Sequence, residues 1–128
     1  MSKRKENSTN NLNRKTLSEF CGVTYVLDLI GGRWKLLILY KLEVKKMRFS
    51  DLKRTLPNIT ERMLTLHLKG LEKEKLIKRS VYQEVPVRVE YELTETGLSL
   101  SPIWHALDDW GIQHREEHSH GHNNALRV

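Results

Sequence analysis

Residues 77–93 read IKRSVYQEVPVRVEYEL. From Arg88 onward, Val89, Tyr91 and Leu93 fall on one side while Arg88, Glu90 and Glu92 fall on the other. That strict alternation is the mark of a half-buried strand. Ile77 to Tyr82 is also strand-like, so the two segments predict a hairpin. Its tip, Gln83 to Val87, has no Asn-Gly or Asp-Gly turn and carries Pro86, whose ring fixes φ and stiffens the loop. A stiff hairpin in a small, highly charged chain suggests something for it to grip.

Just before the hairpin, the sequence predicts two short helices joined by a turn. Ser50 is the expected N-cap of a helix from Asp51 to Leu56, which Pro57 ends. Thr60 is the expected cap of a longer helix reaching about Lys75, and the pair forms a helix-turn-helix. Turning this second helix at about 100° per residue sets Leu64, Leu68 and Leu71 toward a core. Arg62, Leu66, Lys69 and Lys73 then share the opposite face, with Met63 and Thr65 on its flanks. A solvated helix has no use for Leu66 and Met63 there. A helix in a DNA major groove can set them against thymine methyls while Arg62 and Lys69 reach bases or phosphates. Packing of Leu66 against another subunit or the hairpin is the alternative.

Farther out, Val23, Val26, Leu27 and Ile30 follow helical spacing, with Gly31 as the stop. No phosphate-loop motif surrounds Gly31-Gly32, so the pair reads as a break between helices. RWKLLILYKL is apolar on nearly every side from Trp34 to Leu42. A strand would fit, but length and leucine content favour a buried central helix. After the hairpin, Thr94 is expected to cap a last helix that breaks near Ser101-Pro102. Leu100, Ile103, Leu107 and Trp110 are its apolar stripe, and the polar tail HREEHSHGHNNALRV is expected to fray.

The chain has 128 residues, 38% of them hydrophobic, enough for one modest core. No apolar run approaches the roughly 20 residues of a membrane span, and the first residues lack the apolar segment of a secretion signal. A cytoplasmic protein is therefore expected. The expected organisation is a disordered tail at 1–17, a winged helix-turn-helix domain for DNA binding and dimerisation at 18–114, and a polar tail at 115–128. The single cysteine excludes an intrachain disulfide. Net charge is +6, unevenly spread: Arg33 to Arg79 holds 14 basic and 5 acidic residues, whereas Ser80 onward holds 3 basic and 8 acidic. The positive middle suits a polyanionic partner, although a lysine-rich solvated surface gives the same count.

Together these features predict a mainly α fold with a small β-hairpin, in which the hairpin is a wing beside the recognition helix. The expected DNA-binding residues are Arg62, Thr65, Leu66, Lys69 and Lys73 on that helix, Arg79 and Arg88 on the wing, and Ser50 and Thr60 at the helix starts.

Three stretches, Leu29-Ile30-Gly31-Gly32-Arg33-Trp34, Arg48-Phe49-Ser50-Asp51-Leu52 and Ile59-Thr60-Glu61-Arg62-Met63-Leu64, resemble the HxlR-type bacterial transcription regulators. So does Val81 to Thr94, followed by Gly97 and Trp110-Gly111. The resemblance implies a winged-helix homodimer on a two-fold symmetric double-stranded operator, joined through its first and last helices. It also implies that a cysteine just before the first helix, Cys21 here, senses electrophiles or oxidants. Where the family usually has proline after that cysteine, this chain has Gly22.

Other chemistries find less support in the sequence. His114 and His118 are four residues apart, as in zinc-binding helices, but no further ligand closes a site. His105, Asp108 and Asp109 share a helix with no nucleophile motif beside them. No enzyme activity, metal or cofactor is expected. A regulator answering a non-covalent small ligand, or a basic protein-binding module, are the alternatives.

Overall fold

The computed structural model describes residues 21–126, so the expectation for the tail at 1–17 lies outside the described residues. Helix α1 spans Gly22–Ile30 and α2 spans Trp34–Val44. Of the predicted α1 stripe, Ile30 is buried and Val26 packs on the core, but Val23 and Leu27 stay exposed. The break between the helices is built on glycine. A Cβ at Gly31 would stand 2.1 Å from the Leu27 carbonyl oxygen, and Gly32 has φ +92°. Helix α2 is the central helix its length suggested, with Ile38, Leu39 and Leu42 buried.

Two residues, Met47–Arg48, form β1, and helix α3 follows at Phe49–Thr55. Ser50 is therefore the second residue of α3 rather than its cap. The cap position belongs to Arg48, whose backbone N–H donates to the Asp51 carboxylate at 3.3 Å. This reach-back from the third helical residue fastens the backbone of the cap residue, whereas a serine hydroxyl at the cap would accept from a first-turn N–H. Helix α4 covers Glu61–Lys73, and Thr60 caps it as expected, its hydroxyl accepting from the Met63 N–H at 3.1 Å. The helix stops two residues before the expected Lys75. There Lys75 adopts φ 60°, its N–H donates to Glu72 O at 2.9 Å, and the Leu76 N–H donates to Leu71 O at 3.0 Å. That bond pair is a Schellman stop.

Strands β2 (Ile77–Tyr82) and β3 (Arg88–Leu93) form the predicted hairpin, which gains β1 to make a three-stranded antiparallel sheet ordered β1-β3-β2. Met47 pairs with Tyr91, and a two-residue strand leaves too little alternation for sequence reading to detect. Thr94 ties the end of the hairpin back to the turn before it. Its hydroxyl accepts from the Gly97 N–H at 3.0 Å and donates to Lys75 O at 2.6 Å. It caps only a short helix, α5 (Glu95–Leu98).

Helix α6 runs Ser101–Leu126, so the break falls at Ser99-Leu100 and Pro102 sits in the first turn, where a missing N–H costs nothing. The helix continues through the segment expected to fray. His114 stacks between Trp110 and His118, with ring centroids 4.7 and 3.9 Å away. The predicted stripe is not the face the chain buries. Leu100 packs on the core, but Ile103, Leu107 and Trp110 are exposed, and Trp104 goes inside at 2% exposure. Its indole N–H donates to Glu43 Oε1 of α2 at 3.1 Å, and His105 Nε2 lies 2.7 Å from the same oxygen.

No helix among the described residues is long and apolar enough to cross a membrane.

Candidate nucleic-acid interface

Helix α4 is divided cleanly. Leu64, Leu68 and Leu71 are buried to within 1% of completely, each contributing roughly 1.5–3 kcal/mol through area removed from water. Arg62, Thr65, Leu66, Lys69 and Lys73 are all exposed, and Leu66 shows 61% of its surface. The face read from spacing is therefore present as a continuous outer surface, with Met63 at its edge. Thr60 and Ser50 are exposed, at the cap of α4 and in the first turn of α3.

The wing separates its two arginines. Cross-strand partners share a sheet face, so Ile77, Arg79 and Val81 lie with Leu93, Tyr91 and Val89. That face meets the helices, and Arg79 emerges exposed from its outer part. Arg88 lies on the other face opposite Tyr82, and its guanidinium stacks 4.2 Å from that ring. Glu84 Oε1 lies 3.2 Å from Arg88 Nη2, and Glu90 Oε1 lies 3.4 Å from Nε without hydrogen-bond geometry. Lys46 approaches Glu90 from beside the neighbouring strand, at 3.7 Å. Arg88 is thus held inside the wing by two carboxylates and a ring. Alternation showed its face but not its partners. The tip instead presents Val85 and Val87, around a cis Val85–Pro86 peptide.

Charge near the turn is arranged by similar local bonds. The Arg48 N–H, and then the Arg54 guanidinium, hold the Asp51 carboxyl below its ordinary range, so Asp51 remains an anion that orders α3.

Cys21 stands at the N-cap of α1, half-exposed. The backbone N–H groups of Thr24 and Val23 lower its thiol pKa, because the open end of a helix favours a thiolate. Beside it, a groove of about 480 Å³ runs between α1 and α6, lined mainly by Val23, Val26, Leu27, Leu36, Ile103 and Leu107. Among the described residues, no cluster of three or more metal-ligating side chains occurs.

Sequence reading missed Trp104, Glu43 and β1. The tryptophan lies one position beyond Ile103, and an apolar residue adjacent to a stripe gives no periodic signal of its own.

A family model described as HxlR-like helix-turn-helix matches residues 29–119. The HTH-type transcriptional regulator YdeP of Bacillus subtilis is 46% identical over 98 residues, covering 77% of each chain. An HTH-type transcriptional regulator of Methanothermobacter thermautotrophicus is 53% identical over 91 residues, covering 71% of this chain and 70% of its own. Among solved structures, the redox regulator HypR in its oxidised form is 45% identical with a TM-score of 0.70, covering 73% of this chain and 96% of that one.

Proposed function

Since the chain belongs to the HxlR-like helix-turn-helix family and is a transcriptional regulator with that fold, not an enzyme, we propose that it acts in the cytoplasm as a homodimer on a two-fold symmetric DNA operator. The observation that carries this reading is α4, whose inner leucines are fully buried while Arg62, Leu66, Lys69 and Lys73 form an uncovered outer face. In a major groove, Arg62 reads base edges, Thr65 and Leu66 meet thymine methyls or phosphates, and Lys69 and Lys73 meet the backbone. Arg79 adds a backbone contact from the wing, and Ser50 and Thr60 approach phosphates at the helix starts. Arg88 acts by keeping the wing in shape.

Dimerisation is supported by apolar surface that one copy leaves uncovered: Val23 and Leu27 on α1, and Ile103, Leu107 and Trp110 on α6. Pairing these faces sets two recognition helices about 34 Å apart, one DNA turn. The test is selection of duplexes from a random pool, followed by binding across a salt series. A two-fold symmetric consensus with a steep log–log slope is expected. A protein-binding module meeting an acidic partner gives neither.

Cys21 is the proposed signal input. Support comes from its position on the open end of α1, its lowered pKa, and the likeness to the redox regulator HypR. A thiolate there attacks an electrophile or disulfide, and the adduct lies beside the proposed dimer face, where movement changes the spacing of the recognition helices. With no second cysteine, the product is an adduct, a mixed disulfide or a Cys21–Cys21 bridge. Cys21→Ser should keep DNA binding under diamide or a quinone while the parent loses it. Equal responses remove Cys21 from the mechanism. The groove between α1 and α6 favours a non-covalent apolar ligand as the second reading.

A further inference from the structure

We infer that Lys35, which belongs to α2 rather than to the recognition helix or the wing, is part of the DNA-phosphate surface, extending the cationic face of α4 across Gly70. This rests on the DNA reading above.

Lys35 is half-buried in the first turn of α2, and its side chain crosses to α4. Its Cε and Nζ both lie 3.5 Å from where a Cβ on Gly70 would stand. At about 100° per residue, Gly70 sits at the edge of the exposed face, about 60° from Lys73 and 40° from Leu66, with His67 on its inner side. A glycine at this position leaves a shallow gap in the helix surface. The four-carbon stem of Lys35 fits along it, covering apolar surface while the ammonium reaches outward.

Charge distinguishes Lys35 from a structural cation. Among the described residues, the basic side chains held by carboxylates are Lys46, Arg54, Arg88 and His105. Lys35 is not among them, and neither are Arg62, Lys69, Lys73 or Arg79. On the inner side lies His67, whose Nε2 is buried without a hydrogen-bond partner and whose pKa burial, and then the Lys35 charge, lower. An ammonium at the edge of this face with no carboxylate bridged to it is open to an anion from outside the chain. A phosphate beside Lys73 supplies that anion. Because the contact comes from α2, it also ties the central helix to the position of α4 on the duplex.

The test compares the full-length parent with Lys35→Gln and Lys35→Arg on the duplex selected from the random pool and on a scrambled duplex of equal length. Each phosphate contact carries a log–log salt slope of about 0.9, or about tenfold in affinity between 1 M and 0.1 M salt. Lys35→Gln should lose that much slope per bound subunit, equally on both duplexes, and Lys35→Arg should retain it. In the unaltered protein, DNA should shield Lys35 from acetylation by an N-hydroxysuccinimide ester as strongly as it shields Lys73. This measurement does not depend on any variant folding. A folded Lys35→Gln protein with the parent's slope, or Lys35 acetylated equally with and without DNA, overturns the inference. A parent with no salt slope overturns the DNA reading itself.

Discussion

Helices α4 and α6 carry the same kind of apolar repeat and meet opposite ends. In α4 the repeat Leu64, Leu68 and Leu71 is fully covered by its own chain. In α6 the repeat Ile103, Leu107 and Trp110 remains uncovered, and the neighbouring Trp104 is buried instead. Periodicity reports that a helix face is apolar, not what will cover it. A helix completed within one chain is held rigidly and can offer its outer face to a stiff polymer. A helix whose apolar face is left open is completed, under the proposed dimer, by a second copy, and its energetics would then depend on protein concentration.

The largest expected effect tests this contrast directly. Leu68→Ala should cost about 2–5 kcal/mol of unfolding free energy, since it opens a cavity in a filled core. The cost should be the same at every protein concentration in urea denaturation. Leu107→Ala should cost far less in the monomer, with its loss appearing as a dimer that dissociates at higher concentration in sedimentation. A Leu107→Ala penalty matching that of Leu68→Ala under monomeric conditions would end the comparison.

The outer face of α4 comes next. Arg62→Ala should lower affinity for the selected site by about 1–3 kcal/mol and relax preference at one position. Lys69→Ala or Lys73→Ala should act evenly on all sequences and reduce the salt slope by about 1. If Arg62→Ala binds the selected duplex as well as the parent does, the assigned facing of α4 toward DNA is wrong.

Within α6 the buried side can be weakened separately from the exposed one. Glu43→Ala leaves the Trp104 indole N–H without its acceptor in a nearly closed site, a loss of about 1–3 kcal/mol. Glu43→Gln keeps an acceptor and should recover most of it. Equal thermal midpoints for Glu43→Ala and the parent would show that the bond carries no weight.

The sequence made α4 legible because two signals agreed there: the Thr60 cap and the leucine spacing. The hairpin was legible for the same reason, as Val89, Tyr91 and Leu93 alternate without interruption. What escaped was set by partners distant along the chain or by competition within a turn. Arg88 alternates like a free wing cation, yet Glu84, Glu90 and Tyr82 hold it. Trp104 is buried in the core, with its N–H satisfied by Glu43, far upstream. Ser50 has the right chemistry for a cap, but Asp51 reaches back to Arg48 first. Lys35 showed no signal, since its meaning depends on Gly70 being beside it.

The wing arginines give a smaller effect. Arg79→Ala should reduce the salt slope, because no carboxylate among the described residues neutralises Arg79. Arg88→Ala should lower affinity while leaving the slope and the preferred half-site unchanged, because Glu84 and Glu90 already balance its charge. Identical salt slopes for Arg79→Ala and the parent would remove the wing's electrostatic role.

The smallest effect concerns His67, on the inner edge of α4. Burial, and then the nearby Lys35 charge, hold its pKa below the ordinary 6.5. In the unfolded chain the ring recovers that ordinary value. As pH falls through 6.5 the unfolded state therefore binds a proton that the folded state refuses. Stability from a neutral His67 is complete above that pH and declines below it, until the folded pKa is also passed. The informative quantity is the difference between parent and His67→Gln, in which everything the two proteins share cancels. Urea midpoints measured from pH 7.5 down to about 5 should fall less steeply in the variant. Lys35→Gln should shrink the same difference, because it removes one of the two causes and leaves burial. If parent and His67→Gln lose stability in parallel over this range, the inner edge of α4 tolerates charge, and its separation from the outer face is less strict than the leucine burial implies.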